Sequence, residues 1–199
     1  MIAGACPAYL PPISYMAWMT AQKEVAFILT NHYQKQTYRN RAQIYGANGL
    51  LKLTIPIAHN KNAKHQLDGD VAIHYESSWQ KDHWKSLESA YRSSPFFEFY
   101  EAEFYPFFHQ KEAKLMDLNI ALIIKILNLL ESEVNILKTE EAITEFSDLV
   151  DAKKEIKYEI PPYRQVFDSK FGFIPNLSVL DLIFNLGPQS LDFLKKIKV

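Results

Sequence analysis

Two hydrophobic rhythms run along this chain, and the change between them divides it into elements. "IAGA" at 2–5 is a short apolar run that reads as a buried strand feeding the turn "CPAYLPP". Pro12 suits the start of a helix through "ISYMAWMTAQ", where its missing N–H is not needed. "EVAFILT" at 24–30 is apolar, β-branched and of strand length. Strand, helix, strand in that order is the grammar of a parallel pair joined by a crossover. "TYRNRAQIY" and "LLKLTIPI" then flank "GANG", whose Asn48-Gly49 pair favours a tight turn, so a β-hairpin is expected. "DVAIHY" at 70–75 reads as another strand.

From Ser78 the rhythm becomes helical. In "SWQKDHWKSLESAYRSS", Ser78 stands where a cap belongs, and Trp79, His83, Leu87 and Ala90 share one stripe until Pro95 stops the helix. "PFFEFYEAEFYPFF" predicts an aromatic helix or helical turn, "KEAKLMDLNIALIIKILNLLE" a long helix, and "VNILK" a strand. Residues 139–160 read equally as helix or loop, and "YRQVF" as strand or turn. The tail predicts two helices, "NLSVLDLIFNLG" closed by Gly187 and "PQSLDFLKKI" opened by Pro188. The sum is a mixed α/β fold in one domain over residues 1–199. An N-terminal strand-helix-strand and a β-hairpin form a mixed sheet, with the central and C-terminal helices packed on it.

Composition narrows the partners. With 48% apolar residues, the 199-residue chain can bury a substantial core and is not a disordered segment. A net charge of −1 supplies no general attraction to nucleic acid or anionic membrane, so any anion binding must be local and no nucleic-acid partner is expected. The lone Cys6 rules out an intrachain disulfide and a multi-thiolate metal site. "MIAGAC" has the small residues and cysteine of a lipoprotein cleavage box, but neither a positive leader nor an apolar region of roughly 7–15 residues precedes Cys6. "LNIALIIKILNLL" is interrupted by Lys125 and is shorter than the ~20 residues of a membrane span. A cytoplasmic protein without a membrane span is expected, with homo-oligomerisation left open.

The chemistry concentrates in "NHYQKQTYRNRAQIYGANGLLKLTIPI" at 31–57. If Arg39 and Arg41 lie on one strand, they share a face with Gln43, and their stems leave the backbone about 6.6 Å apart. Two guanidinium forks at that spacing suit a phosphate, pyrophosphate or carboxylate, with Lys35 adding a point charge and Tyr33 or Tyr38 a stacking surface. The plainer alternative is a solvated face whose arginines pair with acids elsewhere, since no acid occurs from 31 to 67. His83 titrates near neutrality and is a candidate acid or base, although its apolar stripe also suits a structural histidine. His59, His65 and His74 have no metal-ligand spacing, and no metal is expected. Cys6 is a candidate nucleophile or a packed core thiol. The run from Phe96 to Phe108 reads mainly as core, with an exposed portion able to face a lipid or a partner. No glycine-rich phosphate loop is present, and no cofactor is indicated.

"PAYLPPISYMAWM", the 31–57 segment and "SSWQKDHWKSLESAYRSSPFFEFYEAEFYPFF" resemble, in order, the main blocks of the WbqC-like family, bacterial proteins often found near surface-polysaccharide genes. The tail "YRQVFDSKFGFIPNLSVLDLIFNLGP" is similar to the closing block of a branch common in Bacteroidetes. The family pattern falls on Tyr9, Leu10 and Pro11, on Tyr33, Lys35, Gln36, Arg39, Asn40, Arg41, Asn48 and Gly49, and on Trp79, His83, Trp84, Tyr91 and Pro95. Many relatives carry His-Gln-Pro-Asn where this chain has Ala5, Cys6, Pro7 and Ala8, and an acidic pair where it has Asn31 and His32.

The resemblance implies a transferase that attaches an amino acid such as glycine, or a similar acyl group, to an activated sugar of the O-antigen or capsule. Lys35, Arg39 and Arg41 would hold the anionic part of the substrate. Tyr9, Tyr33 and Asn40 would shape the pocket, and His83 would move the proton. The alternatives are a noncatalytic module that binds a nucleotide sugar or phosphorylated ligand, and a nucleic-acid binder.

Overall fold

β1 (Ala3–Ala5) and β2 (Glu24–Phe27) pair in parallel, Ala3 opposite Val25 and Ala5 opposite Phe27, with α1 (Ile13–Thr20) as the crossover between them. The computed structural model describes residues 2–58, 66–137, 144–145, 147–152 and 158–198. β5 (Asn135–Leu137) and β6 (Thr144–Glu145) extend this sheet in the parallel order β5-β2-β1-β6. The Ala-Gly-Ala sequence of β1 has no bulk, so α1 can bring Tyr15, Met16 and Met19 into the core, each fully buried. α1 is buried from Ile13 to Met19 with only a weak polar face, as expected of a helix enclosed on all sides.

The hairpin forms as expected, β3 (Arg41–Gly46) against β4 (Gly49–Thr54), with Gly49 taking the positive φ the turn requires. The α/β class is as predicted, but among the described residues the hairpin makes a second, two-stranded sheet separate from the parallel one. "DVAIHY" does not form a strand. After a 3-10 turn at Asp68–Asp70, Ile73 N–H bonds Ala113 C=O while His74 N–H bonds Pro56 C=O. The segment alternates between two neighbours, leaving single bridges to Ile57 and Lys114 in place of a ladder.

α2 (Trp79–Tyr91) buries Trp79, His83, Leu87 and Ala90 as its stripe predicts. Ser78 does not cap the helix with its side chain; its hydroxyl donates to Asp82 Oδ2 (3.0 Å). α3 (Phe97–Phe104) and a 3-10 turn (Tyr105–Phe108) carry the aromatic run, burying Phe97, Phe104 and Phe108 and leaving Phe99 in solvent. α4 (Leu115–Leu129) follows. "YRQVF" resolves as irregular chain ending in the short α5 (Asp168–Phe171). Of the ambiguous stretch 139–160, β6 and a 3-10 turn (Ser147–Val150) are described, and most of the remainder lies outside the described residues.

The tail forms α6 (Val179–Leu186) and α7 (Ser190–Lys196), with Gly187 closing the first. Gly187 has φ +55°, and a Cβ there would meet the Phe96 ring at 2.6 Å. Gly187→Ala is expected to destabilise the fold by about 2 kcal/mol through backbone strain and ring displacement. A denaturant midpoint equal to that of the parent would contradict this account.

Candidate functional site

The strand order reverses direction at β1: the chain moves from β1 outward to β2 and later β5, then returns to place β6 on the other side. In parallel sheets the crevice beyond the carboxyl ends of the strands at such a switch is where ligands bind. The loop 6–12 follows β1 at that end of the sheet and is buried, and it contains Leu10 at φ +39°, a strained backbone for a non-glycine residue. Segment 31–40 lies across this loop. Tyr9 N–H donates to Tyr38 C=O (2.8 Å), and Asn119 of α4 donates from Nδ2 to both Pro7 C=O (3.1 Å) and Arg39 C=O (2.7 Å). Asn119 is fully buried and fixes the two stretches relative to each other.

Arg39 precedes β3, so it does not share a strand face with Arg41 and Gln43 as the alternation predicted. It turns inward, 3% exposed, and its Nε donates to Asp68 Oδ1 (2.9 Å) and Oδ2 (3.1 Å). The Cys6 thiol donates to the same carboxylate at 3.3 Å. The pairing with an acid from elsewhere in the chain therefore holds for Arg39. Burial raises the Asp68 carboxyl, while the Arg39 guanidinium and the Cys6 thiol pull it back. Cys6 is fully buried, and its backbone carbonyl accepts from the Tyr15 hydroxyl (3.0 Å).

Arg41 opens β3 opposite Thr54 and has a different environment. Its Nε is shielded from water and has no hydrogen-bond partner among the described residues, and the same is true of the Tyr33 hydroxyl. Burial pushes the Tyr33 phenol up to about 12, against the pull of the Arg39 and Arg41 charges. Tyr33, Arg39, Arg41, Asp68 and Cys6 thus form one electrostatic neighbourhood. Lys35 lies outside it, exposed on the turn before Arg39. Asn40 is buried, donates from Nδ2 to Ile55 C=O (2.9 Å), and has no partner for Oδ1 among the described residues.

Tyr9 and His83, from distant parts of the chain, meet in the core with Tyr9 Oη 2.8 Å from His83 Nδ1. The ring also bonds backbone at Thr54, an interaction that favours its protonated form and so identifies the carbonyl as acceptor. A neutral ring has one N–H for that carbonyl, so Nδ1 accepts the Tyr9 proton. Burial lowers the His83 pKa to about 4, keeping the ring neutral at pH 7. The pair is closed from bulk water, Tyr9 completely and His83 at 6% exposure. His59 and His65 lie outside the described residues, and His74 sits 3.6 Å from Glu76. No group of three potential metal ligands gathers among the described residues.

The WbqC-like protein family model matches residues 6–156 and 152–193. The chain belongs to the WbqC-like family. This WbqC-like chain is also 24% identical over 224 residues to "Uncharacterized protein Rv1507c" of Mycobacterium tuberculosis, with 94% of each chain covered. No solved structure matches it. Two residues of the candidate site escape sequence reasoning, Asp68 and Asn119. Asp68 is the first acid after Glu24, which makes it the first downstream counter-charge for the arginines. Asn119 is the polar residue in the stripe Leu115, Leu118, Leu122, Ile126, a position where a buried amide must serve backbone carbonyls. Among the described residues, no helix is long and apolar enough to cross a membrane.

Proposed function

We propose that this WbqC-like chain is a transferase of surface-polysaccharide synthesis that holds the phosphate- or carboxylate-bearing end of its substrate against Arg41. The observation that carries the reading is the pair of donors, Arg41 Nε and Tyr33 Oη, withheld from water and without partners among the described residues, beside the β1 switch point. Buried donors without acceptors are costly, and an incoming anionic oxygen relieves that cost with charge-assisted bonds. Lys35 adds a solvent-side charge. Arg39, already matched by Asp68, shapes the pocket wall together with Asn40 and Tyr9. In the transfer step, the proton lost by the attacking sugar hydroxyl passes to Tyr9 Oη as Tyr9 gives its own proton to His83 Nδ1. The amino-acid or acyl donor must arrive already activated.

A second reading, a noncatalytic carrier of a phosphorylated sugar, is favoured by the burial of His83 and the engagement of its ring by Tyr9 and Thr54. Thermal melting with inorganic phosphate, pyrophosphate and nucleotide sugars tests the shared binding claim, because a ligand of the native state raises the midpoint. Arg41→Gln is expected to weaken the effective anion about tenfold or more, with the unliganded midpoint little changed. Failure of every anion to stabilise the chain, or an unchanged response in Arg41→Gln, removes the proposal. Turnover lost in His83→Gln with binding retained then favours the transferase over the carrier.

A further inference from the structure

The tip of the β3–β4 hairpin lies away from the candidate site and exposes apolar surface on both faces. Strand register places Leu50 opposite Tyr45 on one face and Leu51 opposite Ile44 on the other. Tyr45 and Ile44 are completely buried, yet Leu50 is 47% and Leu51 38% exposed. α5 adds Phe171, 43% exposed, whose ring centroid is 6.5 Å from that of Tyr45. The Tyr45 hydroxyl donates to Phe167 C=O (3.1 Å) and Gly172 C=O (2.6 Å), binding α5 to the hairpin. Leu50 and Phe171 therefore flank Tyr45 on a supported surface.

Two lysines stand at this tip. Lys52 is exposed two residues along from Leu50 on the same face, opposite Gln43. Lys170 places Nζ 4.8 Å from the Phe171 ring centroid and donates to Ala47 C=O (3.3 Å). Neither ammonium has a carboxylate partner among the described residues, and the nearby Asp168 is paired with Arg164. The chain as a whole carries −1, so the positive charge at the tip is a local feature.

We propose that the hairpin tip docks the protein on an anionic bilayer surface, with Leu50, Leu51 and Phe171 entering the headgroup boundary and Lys52 and Lys170 meeting lipid phosphates. Apolar side chains inserted a short way beneath flanking lysines are the physical pattern of interfacial binding. A second copy of the chain fits less well. Pairing through the open outer edge of β4 would satisfy backbone groups but leave Leu50 and Leu51 on opposite faces, and a lysine on an edge strand opposes such pairing. This inference is independent of the Arg41 reading.

The test is co-sedimentation of the full chain with vesicles of phosphatidylcholine alone and of phosphatidylcholine mixed equally with phosphatidylglycerol. Binding is expected to the mixed vesicles only and to weaken with salt. Lys52→Gln and Lys170→Gln should each reduce partitioning about fivefold. Leu50→Ser combined with Leu51→Ser should reduce it further while circular dichroism and melting midpoint stay near those of the parent. No binding, equal binding to both compositions, or unaltered partitioning in the variants overturns the proposal. A dimer in light scattering that Leu50→Ser/Leu51→Ser dissolves, without vesicle binding, overturns it in favour of edge pairing.

Discussion

Asp68→Asn is expected to destabilise the chain by about 3–5 kcal/mol, because it leaves the Arg39 guanidinium buried without its counter-charge. The loss should exceed that of an ordinary side-chain hydrogen bond, which contributes about 1 kcal/mol. Asp68 also accepts from the Cys6 thiol, so two donors lose the carboxylate together. The double replacement Arg39→Met with Asp68→Leu should recover most of the stability, since apolar side chains of similar volume often substitute for a buried ion pair without penalty. Urea unfolding of the parent, both single variants and the double variant measures the coupling. Additive losses would show that the two charges act independently. The double variant also separates roles: folded and still anion-responsive, it leaves Arg41 as the binding cation and Arg39 as part of the frame.

Acidification should weaken the fold through His83 by about 3 kcal/mol in total. The unfolded imidazole titrates near 6.5, the folded one near 4. Between those values the unfolded chain binds a proton that the folded chain does not, so falling pH favours unfolding. The contribution is fully present above about pH 6.5 and is lost progressively as pH drops to about 4. Burial moves the Asp68 and Asp181 carboxyls in the opposite sense, upward, which favours the folded state in acid. Comparing the parent with His83→Gln therefore isolates the histidine. The gap between their unfolding free energies should shift steadily in favour of the variant from pH 7 to pH 5. Curves that stay parallel would mean that the ring is not shielded as described.

How much of this was legible in the sequence depends on whether a feature is local. The strand-helix-strand opening, the Asn48-Gly49 hairpin, the α2 stripe and the Gly187–Pro188 boundary follow from neighbouring residues, and all formed. "DVAIHY" has strand composition, but its hydrogen bonds were drawn to Pro56 and Ala113, partners that no local pattern reveals. The arginine pair was separable only by knowing that β3 begins at Arg41. Two residues of strand boundary decide whether Arg39 points outward or turns in to Asp68. The meeting of Tyr9 with His83, and the bracing by Asn119, join positions far apart in the chain and became visible only in the folded arrangement.

The parallel sheet also bears on how the chain is assembled. β1 at 3–5 takes its β6 neighbour from 144–145, and Ile13 and Val179 donate backbone bonds to Leu177 and Pro11. Loop closure over such separations slows folding, because much chain entropy is lost before these contacts reward it. A nascent chain ending before Leu177 would expose the α1 surface that α6 covers in the finished protein. Ribosome-bound intermediates of that length should therefore be strong chaperone clients, released once the final helices emerge.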